Sequence, residues 1–162
     1  MRAIGTDTFA MSNPALTSIL LWRFALSYQN INGSGAPLSL AYIVLPIVMS
    51  RQIVDTFKGT NIRTGFLTWL MRNPELTLQL PRRVDTTRDL TGDALRFGIA
   101  YGLFTVTRDG TLRANPAAIS GNIPRRHGVD ECAQMLRIAN HLGQWTSALP
   151  EATVYYSIGI TP

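Results

Sequence analysis

NPALTSILLWRF, residues 13–24, begins with helix-start chemistry and then crowds large apolar side chains onto almost every face. Ser12 or Asn13 is a suitable N-cap, because its side-chain oxygen can accept from an N–H that the first turn leaves free. Pro14 suits the first helical position, where its missing N–H is not needed. Leu16, Leu20, Phe24 and Tyr28 recur at every fourth residue, and Ile19, Leu21 and Trp22 widen the stripe. A helix that is apolar nearly all round belongs in a core. The spacing predicts a central helix packed against the segment around Pro46. It should end near Asn30, where INGSGAPLS (31–39) supplies two glycines and a proline. Arg23 is the exception on this helix: a guanidinium there must find an anion, a carbonyl or a route to solvent.

Outward from this helix, Leu38 to Phe57 reads as a second, which Pro46 should bend or divide. Residues 60–73 form a third, capped by Thr60 or Asn61. Ile62, Phe66, Leu67 and Leu70 make its buried stripe, with Trp69 beside it. Pro74 starts a fourth, and a break or bend is expected at Pro81. TRDLTGDALRFGIAYG (87–102) is a fifth, with Leu95 and Ile99, and Ala94, Phe97 and Tyr101, at helical spacing. Gly102 suits the position just past its end, and the Gly98–Gly102 pair reads as capping rather than helix packing. In LFTVTRDGTLRA (103–114) the pattern changes to two short strands around Asp109-Gly110, a hairpin signal.

PAAISGNIPRRHG (116–128) is a loop. Residues 129–148 form a long last helix, with Cys132, Met135, Leu136, Ala139 and Leu142 on its apolar side and Pro150 as its stop. The β-branched and aromatic ATVYYSIGITP (152–162) reads as a closing strand. The expectation is a mostly α chain with a small, winged-helix-like β hairpin and a short C-terminal strand. It forms a single domain over 1–162: irregular at 1–11, helical at 12–73, winged-helix-like at 74–114, and a final helix and strand at 129–162.

Charged residues are 15% of the chain and apolar ones 46%, against about 25% charged in an average soluble domain. Such a chain is short of charge to cover its surface, which favours a subunit whose partners cover the rest. Lys58 is the single Lys among fifteen basic residues. Arg-favouring codon usage accounts for this blandly, and anion recognition by the planar guanidinium accounts for it functionally. Net charge is +5, and residues 82–126 hold eight basic and four acidic groups. The longest apolar run, LSLAYIVLPIVM (38–49), contains Pro46 and falls short of the roughly twenty residues of a membrane span. No signal peptide is legible at the N-terminus, so a cytoplasmic protein is expected.

Catalytic and metal-binding patterns are missing from the sequence. Cys132 is the single cysteine, and His127 and His141 stand too far apart for a short metal motif. Asp85, Asp89 and Asp93 alternate with Arg82, Arg88 and Arg96, as on a solvated, ion-paired face. No cofactor is expected. An enzyme using His127 or His141 is the weakest reading.

Two sets of residues are candidates for recognition. Trp22, Arg23, Trp69 and Trp145 are candidate partner contacts, since Trp and Arg dominate binding hot spots; core packing is the alternative for each Trp. In a winged helix the helix before the hairpin enters the major groove and the wing touches backbone. Here that helix would carry Arg88 and Arg96 and the wing Arg108 and Arg113. Arg82, Arg83, Arg125 and Arg126 could add phosphate contacts. The three aspartates on the same segment oppose this. The rival to a partner-binding subunit is therefore a stand-alone winged-helix DNA-binding protein, such as a transcriptional regulator.

A series of short motifs adds a family resemblance. NPALTSILLWRF, GAPLSLAYIVLPIVMSRQIVDTF, TGFLTWLMRNPEL, ALRFGIAYGLFTVTRDGTLR, LGQWTSAL and ATVYYSIGITP follow in this order. Over about Asn13 to Pro162 they resemble the small middle component of bacterial three-component ABC-ATPase systems, defence operons of the Lamassu type. The resemblance implies a non-enzymatic adaptor in anti-phage or anti-plasmid defence. Its implied partners are an SMC-type ABC ATPase that senses foreign DNA and an effector, often a nuclease. DNA would be met mainly through that complex, and no membrane is involved.

Overall fold

The structure is a computed structural model that describes residues 13–120 and 129–161. The expectations for 1–11, Ser12, Arg125, Arg126 and His127 lie outside the described residues. Among those described, the chain forms eight α-helices and a three-stranded antiparallel sheet.

Helix α1 spans Pro14–Asn32, and Asn13 is its cap: its side-chain oxygen accepts from the Ala15 N–H at 2.9 Å. Gly33 ends it in the left-handed region, φ 78°, where a side chain would be strained. β1 (Ala36–Pro37) follows, then a short 3₁₀ turn (Leu38–Leu40), α2 (Ala41–Val48) and α3 (Arg51–Asp55). α4 (Phe66–Arg72), α5 (Leu76–Thr86) and α6 (Arg88–Ala100) complete the first helical run. The hairpin β2 (Phe104–Val106) and β3 (Thr111–Ala114) precedes the long α7 (Val129–Ser147) and the short α8 (Glu151–Ser157).

α1 is the hub. It packs most extensively on α7 and then on α6, α2 and β3. Leu20, Leu21, Phe24 and Ala25 are fully buried or nearly so, on successive faces of one helix, as its all-round apolar pattern requires. Polar side chains along it reach neighbouring backbones. Ser27 Oγ donates to the Asn140 carbonyl at 2.8 Å, and Trp22 Nε1 to the Asn115 carbonyl at 2.8 Å. The Gln29 amide accepts from the Ala114 N–H and donates to the Ala114 carbonyl, at 2.9 and 3.0 Å. It continues the ladder of β3 as a strand residue would.

The expected hairpin is present, with Gly110 at φ 77° in its turn. β1 falls in the stretch expected only to end the first helix. It pairs with β3 through Ala36↔Leu112 and Pro37↔Thr111, giving the sheet order β1-β3-β2. A Cβ at Gly35 would come 2.9 Å from the Leu112 carbonyl, so this glycine permits the approach.

Several expected boundaries are corrected. The stretch 38–57 is divided, but Pro46 lies inside α2, where every residue from Ile43 to Val48 is buried. The break falls at Ser50, whose hydroxyl caps α3 by accepting from the Ile53 N–H. The third helix starts at Phe66, not near residue 60. Asn61 instead holds a local turn, accepting from the Arg63 N–H at 2.8 Å, and Gly65 at φ 77° blocks extension. Ile62 is consequently exposed, while Trp69 is fully buried. α5 runs through Pro81, and the Thr77 carbonyl that proline frees faces Gly159, where a Cβ would come 3.0 Å from it.

α6 buries Thr91, Ala94, Leu95 and Gly98, whereas Ile99 and Tyr101 are exposed. Gly98 is a packing glycine and not a cap: a Cβ there would lie 2.1 Å from the Phe104 ring. The described residues 152–161 form no strand. Pro150 sets the start of α8, and Val154 and Ile158, one turn apart, are fully buried. Burial at helical spacing overrides the β propensity of the segment.

Gly143 sits where α7 crosses α1. A Cβ there would come 2.4 Å from the Phe24 carbonyl and 2.8 Å from Ser27 Cβ. Gly→Ala within a helix ordinarily gains about 1 kcal/mol, but overpacking against backbone costs about 1–3 kcal/mol. Gly143→Ala is expected to lower stability in urea unfolding. Gly92→Ala, whose Cβ would meet the Arg96 guanidinium at 3.7 Å, is expected to raise it. A stabilised Gly143→Ala would refute the close crossing.

Candidate functional site

The three tryptophans are core residues in this chain: Trp22 is 6% exposed, Trp69 0% and Trp145 3%. Each indole N–H is satisfied, Trp69 by Thr56 Oγ1 at 2.9 Å and Trp145 by the Ile62 carbonyl at 3.1 Å. Phe57 stacks on Trp145 with centroids 5.6 Å apart, and Trp69 packs at 4.8 Å from Phe57. This aromatic cluster ties α4 and the segment after α3 to α7.

His141 also stacks on Trp145, centroids 5.6 Å apart. Its Nδ1 is buried with no hydrogen-bond partner. It lines a cavity of about 220 Å³ together with Lys58, Thr60, Gln134 and Arg137. Burial, then the nearby Arg137 charge, pushes its pKa below the ordinary value.

The basic residues fall into two groups. Arg88 is ion-paired with Asp85 at 2.9 Å and Arg96 with Asp93 at 2.7 Å, each from i to i+3. Arg82, Arg83, Arg108 and Arg113 form no ion pair among the described residues. Arg113 points outward from β3, opposite Thr105. Asp109 in the turn is held below the usual carboxylate range by its hydrogen bond from Thr107.

Arg23 lies on a groove of about 550 Å³. Trp22, Arg23 and Leu26 of α1 form one wall, and Ala133, Leu136, Arg137 and Asn140 of α7 the other, with Pro116 and Ile119 at the end. Arg23 is half-buried and Arg137 exposed. Among the described residues neither makes an ion pair, and no acidic side chain lines the groove. Arg137 was not singled out from the sequence, although a signal exists. Neither Arg23 nor Arg137 has an acid three or four residues away, whereas Arg88 and Arg96 do.

No group of three or more His, Cys, Asp or Glu able to hold a metal occurs among the described residues. No helix among them is long and apolar enough to cross a membrane. The family model described as "ABC-three component (ABC-3C) system Middle Component 3" matches residues 2–162. The chain belongs to this family. No curated protein and no solved structure matches this middle component.

His141 gives a titratable check on the core of the middle component. Its folded pKa lies below the ordinary 6.5, so as pH falls the unfolded chain takes up the proton first. The neutral ring's contribution is complete above pH 6.5 and is lost as pH falls through the folded pKa. NMR titration of His141 should give a midpoint below 6.5. In urea unfolding, His141→Phe, which keeps a ring against Trp145, should show a weaker acid loss than wild type. A midpoint at or above the ordinary value would contradict the buried environment.

Proposed function

We propose that the chain is a non-catalytic adaptor that bridges an SMC-type ABC ATPase and an effector, such as a nuclease, in a bacterial anti-phage or anti-plasmid system of the Lamassu type. The observation that carries this is the family match across residues 2–162, since a middle component has companion components. Further support comes from the surface. Leu78 is 84% exposed and Met71 74%, and Ile62 and Tyr156 also lie more than half exposed. Large apolar side chains held open on several helices suit a subunit with partners. The expected location is the cytoplasm, where such partners would meet DNA.

A winged-helix reading of the centre is supported by element order. A helix, a short strand, helices, and then α6 and a hairpin give the sheet order β1-β3-β2, with α6 preceding the hairpin. In the adaptor this unit serves protein contact. The stand-alone DNA-binding alternative draws on Arg82, Arg83, Arg108 and Arg113. It loses support where Arg88 and Arg96, on the helix that would enter the groove, are paired with aspartates.

Co-expression with the proteins encoded beside it, followed by affinity purification, tests the adaptor reading. A stable complex containing the ATPase is expected, and its absence sinks the proposal. Anisotropy titration of the purified chain against duplex DNA should show weak binding. Tight binding that falls steeply with salt would favour the regulator instead.

A further inference from the structure

We propose that the groove between α1 and α7 docks an acidic, apolar-anchored segment of a protein partner, with its carboxylates held by Arg23 and Arg137. This rests on the adaptor reading and names the surface and chemistry of one of its contacts.

The groove joins two features that are rarely left together. Trp22, Leu26, Leu136 and Ile119 give it an apolar lining, and about 550 Å³ accommodates a few side chains. Arg23 and Arg137 stand on its two walls without an anion among the described residues. A guanidinium binds carboxylate bidentately, and the apolar side chains of the lining give such a segment an anchor beside the charge. Leu26 lies one turn from Arg23, and Ala133 and Asn140 one turn to either side of Leu136 and Arg137. A segment laid along the two helices therefore meets apolar and cationic positions within one turn of each other.

Charge decides the occupant. Residues 121–128, GNIPRRHG, follow Ile119 and Ser120 in the sequence but carry two arginines and a histidine and no acid. They cannot neutralise Arg23 and Arg137. α1 has no acidic residue from Pro14 to Asn32. The complement must come from outside this part of the chain. A nucleic acid fits less well, since its backbone needs a track of several cations and stacking surfaces. Among the described residues the groove offers two cations, and the Trp22 indole is buried with its N–H committed to Asn115.

The test uses the full chain co-expressed with the proteins encoded beside it, with a benzophenone amino acid at Ala133, an exposed groove residue. Irradiation is expected to cross-link the wild-type chain to one companion protein, at a peptide of net negative charge with apolar residues between the acids. R23E/R137E should reduce the cross-link about tenfold or more, while R23K/R137K retains most of it. Melting temperatures of the variants are compared. If the double reversal melts early, R137E alone, at an exposed side chain, carries the comparison.

Undiminished cross-linking in a folded charge-reversed variant overturns the groove proposal while leaving the adaptor reading intact. A cross-link within the chain, including to residues 1–12, or to nucleic acid also overturns it. Failure of the wild-type chain to purify with any companion overturns both.

Discussion

The crossing of α1 and α7 at Gly143 is the contact on which the other packing relations depend. The Phe24 carbonyl of one helix abuts the Cα of the other, close enough that a methyl group would overlap it. The Ser27 hydroxyl, one turn on, donates to Asn140 of α7 and fixes the register. Backbone at such a distance cannot be adjusted by side-chain rotation, so the two longest helices behave as one rigid unit. α6 and α2 take up the remaining faces of α1, while Gln29 and Trp22 fasten it to the end of β3. A helix apolar on all sides is stable in water only when it is enclosed in this way.

The same unit positions the groove. Arg23 precedes Phe24, whose side chain is fully buried and whose carbonyl meets Gly143. Its backbone therefore has little freedom, although the guanidinium stays half open. Arg137 lies on α7 six residues before Gly143, on the same rigid pair. A recognition site on fixed helices loses less entropy on binding than one on loops. Here the two cations are held by the contacts that form the core.

The central helix, its Asn13 cap and the Asp109-Gly110 hairpin were legible because each rests on local chemistry: side-chain capping, apolar periodicity and a left-handed glycine. The reading failed where tertiary contact decided. Ala36–Pro37 becomes a strand because β3 lies beside it. Residues 151–157 become a helix because Val154 and Ile158 fill the core at helical spacing. The start of α4 was misplaced because Asn61, expected with Thr60 as a possible helix cap, caps only a local turn, and Gly65 is a stop rather than a helix residue. Gly98 was read as a cap because nothing in the sequence states that Phe104 folds back over it.

The candidate site was half legible, for a reason that lies in the charges. Counting arginines pointed to the 82–113 segment, where basic residues are dense, yet Arg88 and Arg96 there are each neutralised by an aspartate three residues before them. The arginines that matter at the groove are isolated ones, each on a helix with no acid within one turn. An arginine enclosed by apolar positions and denied a local partner leaves its charge to be satisfied by something distant in sequence. For Arg23 the described fold supplies no such partner, and it places a second unpaired arginine on the opposite wall. One cation at the edge of a core is explained by escape to solvent. Two that line one partly apolar groove, in a chain that belongs to a family of middle components, form a surface complementary to an acidic partner.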